Sequence, residues 1–396
     1  MTCDAAGGRR GRTGSAAKLA VMRRIEVLDL LRGVAILGTL GTNIWIFTNP
    51  LGPAGVFSGL TSPDLLGQAL GLLANGKFLA LLSLMFGIGL ELQYQSARRR
   101  GTRWPGWYLW RAALLFVEGL LHYLLIFEFD VLMGYAVIAV IVAWLIGRSD
   151  RAVRAWMIAS GALHVLVVGL LTVVIANAAT SSTVSFATDS WTDQVLDRIV
   201  LAPVYRIETV LIIALGIALF LAGSRLLRAG ALADDAAGRR IRARLMIVGF
   251  GVAAPLNLLT TFAGPDWFLV DRYLLAPCVA LGLLGLITTV AYRRTAVSGM
   301  LHTGLTAVGR TALSCYVFQN LVAAVLCYDW GFGLAARFAD ARPWWVIGVW
   351  TAICALFMTL SVYWLRRFDR GPLELLMHRA YQAPQRAVTV RGRTAA

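Results

Sequence analysis

Ten apolar stretches divide the chain, with polar and arginine-rich segments between them. They run Leu28–Thr48, Lys77–Gln95, Trp107–Phe127, Val131–Ile146, Ala155–Ala176, Glu208–Leu227, Leu245–Phe262, Tyr273–Tyr292, Thr303–Cys327 and Trp344–Leu365. Most hold about 20 residues, the length of helix that crosses the hydrocarbon of a bilayer. Lipid offers the backbone no hydrogen-bond partners, so such runs cross as helices that satisfy themselves. The pattern predicts an all-α polytopic integral membrane protein with about ten transmembrane helices in one bundle. No strong internal repeat relates the spans, which disfavours an inverted-repeat transporter.

Composition agrees. The 396 residues are 58% hydrophobic and 15% charged, with a mean hydropathy of +0.70; a soluble domain carries about a quarter charged residues. The net charge of +16 raises the question of nucleic acid. The placement of the basic residues answers it. Of 37 Lys and Arg, only Arg198, Arg206, Arg272, Arg337 and Arg342 fall in one set of connections. Arg32, Lys77 and Arg310 lie inside or at the edge of spans, and all the others gather at the two ends of the chain or in the alternate connections. This alternation is the positive-inside pattern. It predicts a cell (inner or plasma) membrane protein with both termini cytoplasmic, whose basic partner surface is a bilayer with anionic headgroups rather than nucleic acid.

Residues 1–24 are Gly-rich and basic, and are expected to form a disordered cytoplasmic tail rather than a cleaved signal. Residues 25–380 read as a single transmembrane domain and 381–396 as a second cytoplasmic tail. Two outer segments, Asn49–Gly76 and Asn177–Ile207, are long; they suit either a cap over an outward-facing cavity or solvated connectors, and the connector is the default because loops lie on the surface. The five cysteines show no CxxC spacing and imply neither a disulfide framework nor a metal site.

The informative residues are the polar ones inside the spans, because ionisable groups there are rare and costly. Asp29 and Arg32 stand at the mouth of the first span, followed by fifteen uncharged residues, Val34 to Thr48. Helical spacing puts Asp29, Arg32, Ile36 and Asn43 on one face. In the third span Arg111, Leu115, Glu118 and His122 share a face in the same way. At about 1.5 Å per residue, Arg32 and Arg111 lie roughly 6 Å inside the cytoplasmic end, and Asn43 and His122 roughly 22 Å. The ninth span repeats the order, with Arg310 near the inner side and Gln319-Asn320 in the outer half. Arginine binds phosphate through paired hydrogen bonds, and histidine serves as a general base. The layering therefore suits a path with a cationic mouth and a neutral polar interior. The competing reading is structural: arginines that snorkel to headgroups, and a Glu118–His122 pair, one turn apart, that satisfies itself.

These residues resemble the YeiB-like membrane family, domain of unknown function family 418. The resemblance runs through most of the chain. It is carried by Arg24-Ile-Glu-Val-Leu-Asp-Leu-Leu-Arg-Gly with Asn43 following, by Lys77-Phe-Leu-Ala-Leu-Leu-Ser-Leu-Met-Phe-Gly-Ile-Gly, and by Glu118-Gly-Leu-Leu-His122 with Asp130-Val-Leu. A carboxyl-terminal signature, within about 230–380, joins Gly309-Arg-Thr-Ala-Leu-Ser-Cys-Tyr-Val-Phe-Gln to Arg367-Phe-Asp-Arg-Gly-Pro-Leu-Glu. One departure is that Phe129 precedes Asp130 where the family often has Gly, and Glu128 adds a charge.

The Leu-Asp-x-x-Arg-Gly opening is in turn similar to that of acyltransferase-3 and heparan-glucosaminide acetyltransferase-like membrane enzymes. That similarity implies transfer of an acyl group from cytoplasmic acyl-CoA to an extracytoplasmic or lipid-linked acceptor, with acyl-CoA as co-substrate and no bound cofactor. On this expectation Arg32, Arg111 and Arg310, with Asp29 beside them, hold the phosphates. His122, oriented by Glu118 or Asp130, accepts the acceptor's proton or briefly carries the acyl group, and Asn43 and Gln319 donate to the oxyanion. The alternatives are a proton-coupled transporter of small amphiphiles, with Asp29, Glu118 and His122 as relay, and a non-catalytic membrane scaffold. The acceptor and the oligomeric state are left open.

Overall fold

The computed structural model describes residues 7–53, 65–177, 187–293 and 299–394. The Ser/Thr run of the second long connection and Cys3 lie outside them. Every apolar stretch of the sequence falls on a helix, and the described residues contain no strand. The helices are α1 (Gly7–Phe47), α2 (Leu65–Ala74), α3 (Lys77–Arg99), α4 (Trp107–Leu125), α5 (Leu132–Leu145), α6 (Asp150–Ala176) and α7 (Trp191–Val200). They continue with α8 (Ala202–Arg228), α9 (Ala236–Ala263), α10 (Pro265–Arg293), α11 (Met300–Arg310), α12 (Ala312–Cys327), α13 (Trp344–Trp364) and α14 (Pro372–Thr394). Helix α1 begins at Gly7, inside the segment expected to be a disordered tail, and α14 continues to Thr394 through most of the expected second tail.

Two spans differ from the even ten. Eight helices among the described residues are long and apolar enough to cross a membrane, or nine with a bent pair. The fourth apolar stretch forms only 14 helical residues, Leu132–Leu145, about 21 Å long and short of the ~30 Å hydrocarbon. The ninth is not one rod: α11 and α12 meet at 98° around Thr311.

One hydrophobic core runs through the bundle, from Val27 and Leu31 in α1 through Leu81 and Phe220 to Ile353 and Phe357 in α13. The outside is apolar too. The apolar windows of α6 and α9 are only 17% buried, and Ile158, Leu166 and Leu170 point outward. Such exposed faces need lipid around them. The chain is an all-α polytopic membrane protein.

Glycine sets the two tightest crossings. A Cβ on Gly309 would stand 1.7 Å from the Asp29 carbonyl oxygen, and one on Gly33 would stand 1.9 Å from that of Leu305. Helices α1 and α11 thus touch backbone to backbone beside the Asp29–Arg32 pair. Helices α3 and α8 do the same, Gly87 against Phe220 and Gly223 against Leu84. Small residues at such contacts allow the close approach on which membrane helix packing relies.

Candidate functional site

Helix α4 stops at Leu125, and an irregular elbow, Ile126–Val131, leads into α5. Both ends of this elbow leave backbone groups without helical partners, and charged side chains meet them. At the start of α5, Asp130 Oδ1 accepts the backbone N–H of Leu132 (2.9 Å) and Met133 (3.3 Å). At the end of α4, Arg198 of α7 donates to the carbonyls of Leu124 and Ile126, both at 3.1 Å, and pairs with Glu128 at 3.2 Å. Arg206 of α8 donates to the carbonyls of Asp130 (2.9 Å) and Glu128, and its guanidinium lies 4.0 Å from the Tyr123 ring centroid. Cations at a helix C-terminus and a carboxylate at an N-terminus are each favoured by the helix dipole.

The elbow brings His122 and Asp130 together. His122 Nδ1 lies 2.8 Å from Asp130 Oδ2, and both side chains are fully buried. On the other side of the ring, His122 Nε2 faces Asn320 Nδ2 at 3.3 Å. Asn320 Oδ1 accepts from Asn43 Nδ2 at 3.1 Å, and Asn320 Nδ2 also donates to the Tyr316 carbonyl at 3.1 Å. This order fixes the proton. An amide N–H directed at Nε2 requires a bare lone pair there, so Nδ1 carries the hydrogen and gives it to Asp130. Helices α1, α4 and α12 and the elbow therefore converge on one imidazole, with Nδ1 toward Asp130 and Nε2 toward Asn320.

Other expected site residues take different places. Glu118 makes no pair with His122, and its two carboxyl oxygens are buried without a hydrogen-bond partner. Gln319 turns toward α1, donating to the Ile36 carbonyl at 3.2 Å; the amide beside His122 is that of Asn320. Asn43 reaches His122 only through Asn320.

Arg32 of α1, Arg111 of α4 and Arg310 at the end of α11 lie away from His122. Arg32 donates to Asp29 at 2.9 Å and is half-buried. Arg310 is close enough to Asp29, and Arg32 and Arg370 close enough to Arg111, for their charges to interact. Arg111 donates to Gln93 at 3.3 Å and Arg310 to the Asp369 carbonyl at 3.4 Å.

Two parts of the site were not expected. The segment around Trp191, read as part of a solvated connector, is α7, and its Arg198 is buried in the elbow. Its signal was Glu128, a carboxylate in an apolar setting that calls for a cation. The second is Glu374 of α14, which accepts from the Leu313 N–H (2.7 Å), the Ser314 N–H (3.3 Å) and Ser314 Oγ (2.5 Å). It caps α12 at the bend and so orients the half-helix that carries Asn320.

Among the described residues no group of His, Cys, Asp and Glu is arranged to hold a metal ion. Comparison with known proteins places the chain in a family. The chain is 30% identical to the "Uncharacterized protein YeiB" of Escherichia coli (strain K12) over 393 residues, covering 90% of this chain and 95% of that one. It belongs to the DUF418 family. The family profile, described as "Protein of unknown function (DUF418)", matches residues 226–383, the part that holds Asn320 and Glu374. The "Uncharacterized protein YxaH" of Bacillus subtilis (strain 168) is 25% identical over 391 residues, 90% of this chain and 94% of its own length. For this DUF418 protein the residues of the elbow, outside the profile, are as integral to the site as those within it.

Proposed function

We propose that this DUF418 protein is a membrane acyltransferase that moves an acyl group from acyl-CoA to a hydroxyl or amine acceptor. The observation that carries this reading is the buried His122–Asp130 pair with Nε2 directed at a polar partner. A carboxylate that holds Nδ1–H leaves Nε2 as the proton acceptor, the arrangement used by general bases in acyl transfer. The acceptor's O–H or N–H takes the place of the Asn320 amide at Nε2. The freed Asn320 amide then lies beside the reacting carbonyl as an oxyanion donor.

The arginines support the other half of the reading. Arg32 and Arg310 lie near Asp29, and Arg32 near Arg111, away from His122, and guanidinium groups are suited to the phosphates of CoA. The positive-inside pattern makes this end the cytoplasmic one, with both chain termini on that side of a cell membrane. The acceptor is then extracytoplasmic or lipid-linked.

The test uses purified protein in nanodiscs with acetyl-CoA and palmitoyl-CoA. Acyl-CoA is expected to raise the melting temperature by mass action, and wild-type protein is expected to release CoA thiol. His122→Ala should still insert and fold, at a lower melting temperature because buried Asp130 loses its partner, and release none. Absence of stabilisation by either acyl-CoA, or full thiol release by His122→Ala, removes the reading.

A second reading, proton-coupled transport of a small amphiphile, is favoured by one observation, the unpartnered carboxyl of Glu118. Proton-linked flux in proteoliposomes without any acyl donor distinguishes it.

A further inference from the structure

Glu118 is the anomaly of the bundle. Both its carboxyl oxygens are shielded from solvent and accept no hydrogen bond, whereas Glu91, Glu128, Glu208 and Glu374 each accept from protein donors. The charged groups facing it have the wrong sign: Asp130 from the α4–α5 elbow and Glu374 from α14 are both carboxylates. On its own helix, His122 lies one turn outward, bound to Asp130, and Arg111 lies nearly two turns toward the arginine end, bonded to Gln93. The cation of α7, Arg198, is engaged with Glu128. A buried carboxylate with neither a protein donor nor a counter-ion is strongly disfavoured in such a setting.

We propose that Glu118 holds a proton as a neutral carboxylic acid and is the general acid that complements the His122 base. The second half rests on the acyl-transfer reading. In that reaction the acceptor oxygen forms the new C–O bond while its proton passes to His122 Nε2. The C–S bond of the thioester breaks, and the departing thiolate takes the proton of Glu118 to leave as CoA thiol. Proton return from His122 to Glu118, one helical turn away, resets both groups. Atoms and charge balance with no further reactant. The spacing of four residues places the two side chains on one face, with the acid on the side nearer the arginines.

Two measurements on the full chain in nanodiscs test this. The first is the infrared difference spectrum of wild type against Glu118→Gln at neutral pH. A protonated carboxyl C=O band lost in Glu118→Gln and kept in His122→Ala is expected; no such loss overturns the assignment of the proton, whatever the protein's activity. The second is thiol release from acyl-CoA and from an acyl thiophenyl ester, whose thiolate departs without a proton. Glu118→Gln is expected to slow release from acyl-CoA on the order of 10²-fold and to recover near wild-type rate with the thiophenyl ester. His122→Ala should recover with neither. Equal loss of both substrates in Glu118→Gln overturns the general-acid role. Wild-type protein that releases no thiol at all defeats the acyl-transfer reading, while the infrared result still decides the proton.

Discussion

Asp130 holds His122 by its Nδ1 at 2.8 Å, across an elbow that interrupts the helix between them. The same carboxylate caps the next helix through Oδ1, so one side chain both ends the elbow and sets the tautomer of the imidazole. Asp130→Asn separates the two roles. The amide still accepts from the α5 backbone through its oxygen, and its NH2 is turned toward Nδ1, which favours the wrong tautomer. If Nε2 is the base, thiol release should fall on the order of 10²–10⁴-fold, with a melting temperature close to wild type. Wild-type turnover in Asp130→Asn would show that the pair is structural.

The crossing of α1 and α11 provides a packing test beside the Asp29–Arg32 pair. Gly309→Ala puts a methyl group 1.7 Å from the Asp29 carbonyl oxygen, so the helices must part. Overpacking of this kind costs about 1–3 kcal/mol or more. Gly161→Ala in α6 is the control, because nothing lies within 4 Å of its added Cβ; helix propensity alone favours it by up to ~1 kcal/mol. Unfolding of both variants in the same detergent should move in opposite directions. A shared direction would refute the close contact.

Arg198 lies in the elbow with its side chain only 3% exposed. Arg198→Ala strips Glu128 of its counter-ion and leaves two carbonyls, those of Leu124 and Ile126, without this donor. Breaking a buried pair from one side costs about 3–5 kcal/mol. The double variant Arg198→Met with Glu128→Gln, which removes both charges, should regain most of that loss. A single variant as stable as wild type, or a double variant no better than the single, contradicts the pairing.

The spans themselves were legible from hydropathy because lipid selects for long apolar runs whatever lies inside the bundle. The inner arginines and His122 were legible because charge is rare at that depth. What was hidden depends on contacts remote in sequence. The 98° bend at Thr311 has no proline to announce it; its stabilising cap comes from Glu374, about 60 residues away. Gln319 and Asn320 are both fully buried, and the direction in which α12 starts afresh after that bend turns Gln319 to the α1 backbone and Asn320 to His122. The role of Arg198 is hidden in sequence because a short helix with a single inward cation has the composition of a solvated connector until its acid partner Glu128 is placed beside it.

The cap on α12 can be tested directly. Glu374 satisfies two backbone N–H groups, those of Leu313 and Ser314, and takes the Ser314 hydroxyl as well. Glu374→Ala leaves these donors unpaired at the first turn of the half-helix, a loss of about 0.5–2 kcal/mol by comparison with other N-caps. Local opening rather than global unfolding is the expected result, since the rest of α12 stays buried through Tyr316, Gln319 and Asn320. Hydrogen exchange should therefore quicken at Leu313 and Ser314 while the amides of α3 and α8 keep their protection. Glu374→Gln, whose amide oxygen still accepts, should fall between the two. Exchange at Leu313 and Ser314 unchanged in Glu374→Ala would mean that α12 is held at its bend by something other than the carboxyl-terminal helix.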